Sequence, residues 1–257
     1  MNPGEFRIET IRPNVILIDD HTDSSAFLIL GTHSALLVDT GWGGENFPEV
    51  ARSLTDLPIS LFITHAHPDH HRYAAAFSPA YVHQKDFDIL DAMRAEVDPL
   101  TPDASVFTPV EEGFRIDLGG ATAIVYWVGG HTPGSAAVVV PEYEIVCTGD
   151  AFGSGVGVWM QVPFALSLTG YRDMMAHFLE VCEYTRDYRY LGGHIDQSAR
   201  NPLCYHLIED MYSLTCRLVE NHPEQETYPS RGRAFTDEQP MGAAFRTASI
   251  VFLRSNI

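Results

Sequence analysis

Residues 64–71 read Thr-His-Ala-His-Pro-Asp-His-His, which places four of the chain's 12 histidines and an aspartate within eight positions. Imidazole and carboxylate are the side chains that bind zinc and related divalent cations. The run "ISLFITHAH" (59–67) reads as a strand that carries straight into this stretch. Residues i and i+2 at the extended end of a strand point the same way, so His65 and His67 can face one point. Pro68 bends the chain, and Asp69 and His70 begin a helix that offers their side chains to a second point nearby. His71, one step round that helix, is expected to point away and bind nothing. A lone histidine at a strand end is usually a surface or hydrogen-bonded residue, and His21, His33, His83, His177, His206 and His222 are read that way. The clustered histidines, with His131 and His194 at the ends of later apolar runs, point instead to a metal site.

The elements that must position these residues are short apolar runs. "NVILID" (14–19), "SAFLILG" (25–31), "HSALLVDTG" (33–41) and "AYVHQ" (80–84) read as strands, with helices expected over 46–57 and 85–97. "FRIDLGG" and "TAIVYWVGGH" (114–120 and 122–131) read as a hairpin turning at Gly119-Gly120. "SAAVVVP" and "EIVCTGD" (135–141 and 144–150) form another pair, and "YRYLGGH" (188–194) a last short strand. Tyr171, Met174, Met175, Phe178, Leu179 and Cys182 fall at helical spacing, as do Leu203, Leu207, Ile208, Met211, Leu214 and Leu218. Five apolar runs end in a turn bearing His or Asp: Asp39, His65 to His70, His131, Asp150 and His194. Strand ends on one edge of a packed sheet converge, and loops on such a scaffold are where sites are built. The expected organisation is one domain over residues 1–257, sheets with helices outside. Residues 200–257 are expected to be a helical C-terminal addition with a possible final strand, "TASIVFL" (247–253).

The bulk composition narrows the classes further. The chain has 257 residues, 45% hydrophobic and 11% aromatic, enough for a sizeable core. The formal charge is −18 and Lys85 is the only lysine, so the surface repels phosphate backbones and nucleic acid is not an expected partner. No apolar run reaches the ~18 residues of a membrane span, and "MNPGEFRIET" lacks the basic and apolar regions of a secretory signal. A cytoplasmic protein with no membrane partner is expected. Its four cysteines, Cys147, Cys182, Cys204 and Cys216, form no CxxC pair and are expected to be reduced thiols. The oligomeric state is open, a homodimer included.

The order His-x-His-x-Asp-His, then "GHTPGS" (130–135), "TGD" (148–150) and "GGH" (192–194), resembles the metallo-β-lactamase superfamily over roughly residues 14–200. The resemblance implies an α+β fold, an αββα sandwich of two mixed sheets flanked by helices. It also implies that His65, His67 and His131 hold a first metal, that Asp69, His70 and His194 hold a second, and that Asp150 bridges both. The true β-lactamases lack the bridging aspartate and carry Cys or Ser near that place, so the full ligand set is more similar to the glyoxalase II and lactonase branches. Ser135 stands where glyoxalase II commonly continues "GHTPGH", and "SRGR" (230–233) is only suggestive of its basic C-terminal residues. The nuclease branches carry basic or inserted regions that this chain lacks.

The chemistry so implied is hydrolysis of an ester, thioester or lactone bond of a small neutral or apolar substrate. Two divalent cations, zinc in first place with iron or manganese as alternatives, lower the pKa of a shared water and polarise the bond under attack. Asp69 and Asp150 are the carboxylates expected at the reaction, Asp69 to orient the nucleophile or take its proton. Asp39, in "VDTG", either accepts a hydrogen bond from a ligand histidine or nearby backbone or is a plain turn residue. Substrate choice is expected from the uncharged segment 151–167, pliable at Gly153, Gly155 and Gly157, with Trp159, Met160 and Phe164 touching substrate beneath an apolar lid. The alternative is that these large residues are core. A persulfide dioxygenase-like oxidoreductase using one iron, and a phosphodiester hydrolase, are the competing functions.

Overall fold

A computed structural model of the chain describes residues 6–21, 24–44, 46–153, 157–195 and 202–257. The first seven strands form one sheet in sequence order: β1 (Arg7–Arg12), β2 (Val15–Asp19), β3 (Ser25–Leu30), β4 (Ala35–Val38), β5 (Ile59–Ile63), β6 (Ala80–His83) and β7 (Phe107–Val110). Pairing is antiparallel from β1 to β4 and parallel from β4 to β7. The parallel half needs crossovers, supplied by α1 (Phe47–Ser53), the single turn α2 (Pro68–His71), and α3 (Gln84–Phe87) with α4 (Leu90–Glu96).

A second mixed sheet has the order β13 (Arg189–Gly192), β11 (Ile145–Gly149), β10 (Ala136–Val140), β9 (Thr122–Trp127), β8 (Arg115–Asp117), with only β11 and β13 parallel. Alternation along the strands explains why they read as unbroken apolar runs, since both faces are buried. Val15, Leu17, Phe27, Ile29, Leu36, Val38 and Phe62 meet Val125, Val138, Ile145 and Cys147 between the sheets. The opposite faces pack outward: Ile18, Leu28, Leu37 and Leu61 with Phe47, Leu90 and Met93, and Ala137, Val139 and Val146 with α5 (Leu168–Val181) and α6 (Tyr205–Val219). The result is the expected αββα sandwich of two mixed sheets.

The C-terminal segment departs from expectation. It contains α6 but also three strands, β14 (Thr227–Pro229), β15 (Met241–Phe245) and β16 (Ala248–Phe252), which join β12 (Val158–Trp159) in a small third sheet. Thr227, Tyr228 and Pro229 are all exposed, so β14 carries no apolar alternation to read. Leu207, Ile208, Met211, Leu214 and Leu218 of α6 share a core with α5, Ala243, Ile250 and Phe252, each large side chain worth about 1.5–3 kcal/mol of burial. The helix expected over 85–97 is interrupted by a turn at Asp88 and Ile89, which separates α3 from α4. β1 and β7 lie at the edges of the first sheet, which is why their burial patterns are mixed. All four cysteines are free thiols. Among the described residues no helix is long and apolar enough to cross a membrane.

Candidate metal centre

Parallel pairing places strand C-termini at one edge, and this edge collects the singled-out residues. Val38 pairs with Phe62 in β4 and β5, so Asp39 and Thr64 leave the first sheet side by side. Gly149 pairs with Gly192 in β11 and β13, so Asp150 and His194 leave the second sheet in the same way. The sheets are tied at this edge by Ala136 N–H donating to Thr64 O at 2.8 Å and Ser25 N–H to Gly193 O at 2.8 Å. Gly193 must be glycine: a Cβ there would lie 2.4 Å from Asp150 Oδ1 and 2.6 Å from His70 Cε1. Pro68 opens α2 with its fixed φ, and His67, still extended, is the residue before it.

Three groups of ligand atoms converge, each with its members within 4.8 Å of one another: His65, His67 and His131; Asp69, His70 and His194; and His65, His70 and Asp150. A tetrahedral zinc with bonds of about 2.1 Å sets its ligand atoms about 3.4 Å apart, so these sets suit a divalent cation. The carboxylate of Asp150 lies between the first two groups. Its Oδ2 is 3.1 Å from His194 Nε2 and 3.7 Å from His131 Nε2, and its Oδ1 is 3.8 Å from His70 Nε2. His65 Nε2, His70 Nε2 and Asp150 Oδ1 are buried without a hydrogen-bond partner. Orphaned buried polar atoms are rare in folded proteins, and here all three face the same volume, which fits bound metal.

Hydrogen bonds fix which nitrogen each ring presents. The Trp159 carbonyl can only accept, so His131 Nδ1 donates to it at 2.7 Å and His131 Nε2 keeps its lone pair. Asp39 is 2% exposed and accepts from Thr64 N–H (2.7 Å), Thr64 Oγ1 (2.7 Å) and His70 Nδ1 (2.9 Å). The Thr64 hydroxyl spends its one proton on Asp39, so at 3.1 Å it accepts from His65 Nδ1 and leaves His65 Nε2 free. One carboxylate thereby orients two rings, and it holds φ +61°, a conformation Asp tolerates better than most residues.

The electrostatics divide the site. Burial pushes His65 and His131 down and His67 to about 3, with the neighbouring histidines adding to the effect at His65 and His67. These rings are neutral and suited to donate lone pairs. Burial also opposes charge on His70 and His194, but the nearby carboxylates outweigh it: Asp69, Asp39 and Asp150 hold His70 well above its ordinary value, and Asp150 lifts His194 to about 9. The same pairs outweigh burial in the other direction and hold Asp69 and Asp150 well below the usual carboxylate range. His71 belongs to none of the three groups, yet its ring is buried, 1% exposed, with neither nitrogen hydrogen-bonded.

The centre opens into a cavity of about 660 Å³. Trp159, Val162 and Pro163, from the segment after Asp150, are among the residues that line it; Gly155 lies outside the described residues. Two expected substrate contacts are corrected. Met160 is wholly buried in the core of α5, α6 and β16, because β12 pairs with β16 and turns alternate side chains in opposite directions. Phe164 is half-buried, packs against the outer core of the first sheet and does not line the cavity. Trp42, Phe235, Arg233, Glu96 and Asp98 also line it, so charged groups reach a cavity whose own loop has none. Trp42, 44% exposed, is held where Asp20 accepts from the N–H groups of Trp42 and Gly43 at 2.6 Å. An exposed tryptophan in "TGWGG" was the available signal for it.

These positions predict different outcomes for adjacent substitutions. Met160→Ala is expected to lower stability by about 2–5 kcal/mol, the range for emptying a core site. Trp159→Ala should leave folding nearly intact and raise KM for an accepted substrate, since it removes cavity wall. Urea unfolding and steady-state kinetics on both variants check this, and equal loss of stability would place Trp159 in the core.

A sequence-family model described as the metallo-beta-lactamase superfamily matches residues 19–194. No curated protein sequence matches the chain. Among solved structures, metallo-beta-lactamase IND-7 superposes with a TM-score of 0.62 at 16% identity, covering 82% of this chain and 98% of its own. A metallo-beta-lactamase from Erythrobacter litoralis gives 0.60 at 19% identity, covering 84% and 99%. The stereoselective inverting sec-alkylsulfatase Pisa1 from Pseudomonas sp. gives 0.64 at 12% identity, covering 84% of this chain and 42% of its own. At these identities the likeness is one of fold.

Proposed function

The chain belongs to the metallo-β-lactamase superfamily, and from that premise we propose that it is a dinuclear zinc hydrolase of esters, thioesters or lactones, of the glyoxalase II and lactonase kind. The observation that carries the proposal is Asp150, whose carboxylate lies near both groups, Oδ2 3.7 Å from His131 Nε2 of the first and 3.1 Å from His194 Nε2 of the second, with Oδ1 3.8 Å from His70 Nε2. In this reading His65, His67 and His131 would hold one ion and Asp69, His70 and His194 the other, with Asp150 a ligand available to either. If bound there, two divalent cations would lower the pKa of the attacking water and polarise the scissile carbonyl.

The chain's own residues do the rest. Asp69, its side chain 31% exposed at the cavity floor, is ionised and accepts a hydrogen bond from the attacking water, which it orients toward the carbonyl carbon. Trp42, Trp159 and Phe235 exclude water and seat an apolar acyl or leaving group, while Glu96 and Asp98 disfavour a polyanion. A small neutral or apolar substrate is part of this reading, and the charge of −18 disfavours nucleic acid as a partner.

The test is elemental analysis of protein purified without added metal, together with a substrate panel. Two equivalents of zinc are expected, with turnover of neutral aryl esters, lactones or thioesters and little of carbapenems or RNA. One equivalent of iron without zinc would move the chain to the oxidoreductase reading, and efficient β-lactam cleavage with esters inert would place it in another branch.

A further inference from the structure

Asp86 lies in α3, three residues past the end of β6, and is 0% exposed. No cation forms an ion pair with it among the described residues, and the neighbouring Lys85 ammonium lies over the Trp127 ring at 5.0 Å. A buried carboxylate without a counter-ion is costly to keep ionised, and burial pushes Asp86 up to about 6 even against the hydrogen bonds it accepts. A fold that only needed a polar bridge would be better served by a neutral side chain. What Asp86 offers is two acceptor oxygens with no donor, and both are used. Oδ2 accepts from Ala66 N–H and from Thr132 Oγ1, each at 2.7 Å, and Oδ1 accepts from Gly134 N–H at 2.6 Å.

The partners are what matter. Ala66 is the residue between His65 and His67, so holding its N–H fixes the peptide that joins His65 to Ala66, directly before His67. Thr132 follows His131. Its hydroxyl proton goes to Asp86, so Ser135 Oγ donates to Thr132 Oγ1 at 2.8 Å and accepts from Thr132 N–H at 3.1 Å, which closes the turn behind His131. Gly134 is glycine because a Cβ there would sit 2.3 Å from Asp86 N. Asp39 orients His65 and His70 by their ring nitrogens, but among the described residues the ring of His67 bonds only to His131, with Nδ1 and Nε2 2.9 Å apart. The placement of His67 therefore depends on its backbone.

We propose that Asp86 is a positioning residue for the first metal set, a clamp that holds the His65–His67 turn against the His131 turn so that three rings from two sheets meet at one point. This rests on the dinuclear reading. It predicts a selective effect: loss of the clamp loosens the set of His65, His67 and His131 and leaves the set of Asp69, His70 and His194 as it was.

The test measures zinc binding to the metal-free full chain by competition with a chromophoric chelator, with circular dichroism to verify folding. Asp86→Asn and Thr132→Val are each made in two backgrounds: His194→Ala, where only the first set is complete, and His131→Ala, where only the second is. Asp86→Asn is expected to weaken zinc binding about 10- to 100-fold in the first background, the range for groups behind a metal ligand, and to leave it unchanged in the second. Thr132→Val, which removes one bond of three, should give a smaller loss with the same selectivity, and it decides the question if Asp86→Asn does not fold. Equal losses in both backgrounds, or none in the first, would overturn the clamp while leaving the dinuclear reading intact. A parent chain that binds no zinc would end both.

Discussion

Asp150→Ala is expected to lose metal and turnover together, with zinc content falling below two equivalents and kcat dropping by well over ~100-fold. The figure follows from position: loss of a group behind a ligand commonly costs 10- to 100-fold in metal affinity or activity, and Asp150 lies between both ligand sets. Its Oδ2 is 3.1 Å from His194 Nε2 and its Oδ1, with no hydrogen-bond partner, is buried facing His70. Alanine leaves two imidazole-rich sets facing one another with no anion between them. Asp150→Cys separates charge from ligand type, because a thiolate restores the negative charge but is softer than a carboxylate. It should recover part of the metal and little of the rate. Metal analysis beside steady-state kinetics on both variants is the measurement, and full metal and activity in Asp150→Ala would remove the basis for a dinuclear centre.

Asp39→Ala should produce the largest loss of stability of any single change at this edge. Three donors would lose their acceptor: Thr64 N–H, the Thr64 hydroxyl and His70 Nδ1. Each buried group left unsatisfied costs about 1–3 kcal/mol, and alanine at a φ of +61° adds about 1–2 kcal/mol. The sum rivals the 5–15 kcal/mol that holds a typical domain together. Asp39→Asn keeps the shape and tolerates the backbone, and it is the more informative variant. Its amide must turn an N–H either toward Thr64 N–H or toward His70 Nδ1. The second choice makes His70 accept at Nδ1 and carry its proton on Nε2, the atom a metal needs. Zinc affinity of the His70 set should fall about 10- to 100-fold. Urea unfolding of the metal-free chain and zinc competition check the two halves, and wild-type values for both in Asp39→Ala would reduce Asp39 to a turn residue.

What the sequence determined by itself is local chemistry and local periodicity. Zinc-type coordination admits few residue types, so the cluster from His65 to His70 announces itself, although β5 ends at Ile63 and His65 and His67 stand in the loop beyond it. Strands buried on both faces leave unbroken apolar runs, so β2 to β5 and β9 to β11 were legible, as were α5 and α6 from one apolar face. Which side of an element meets which partner is set by the assembled fold. Trp159 faces the cavity and Met160 the core because β12 pairs with Val251, some 90 residues on, and a period of two sends neighbours to opposite faces. Arg233 and Phe235 reach the cavity from a segment whose strand β14 is exposed and shows no pattern. Asp86 reads as one more polar residue near a helix start, and its bond to Thr132 spans 46 positions. Spacing within an element is written in the chain because the backbone sets its period. Contacts between elements are chosen by the packing of the whole core, and no short stretch of sequence contains that.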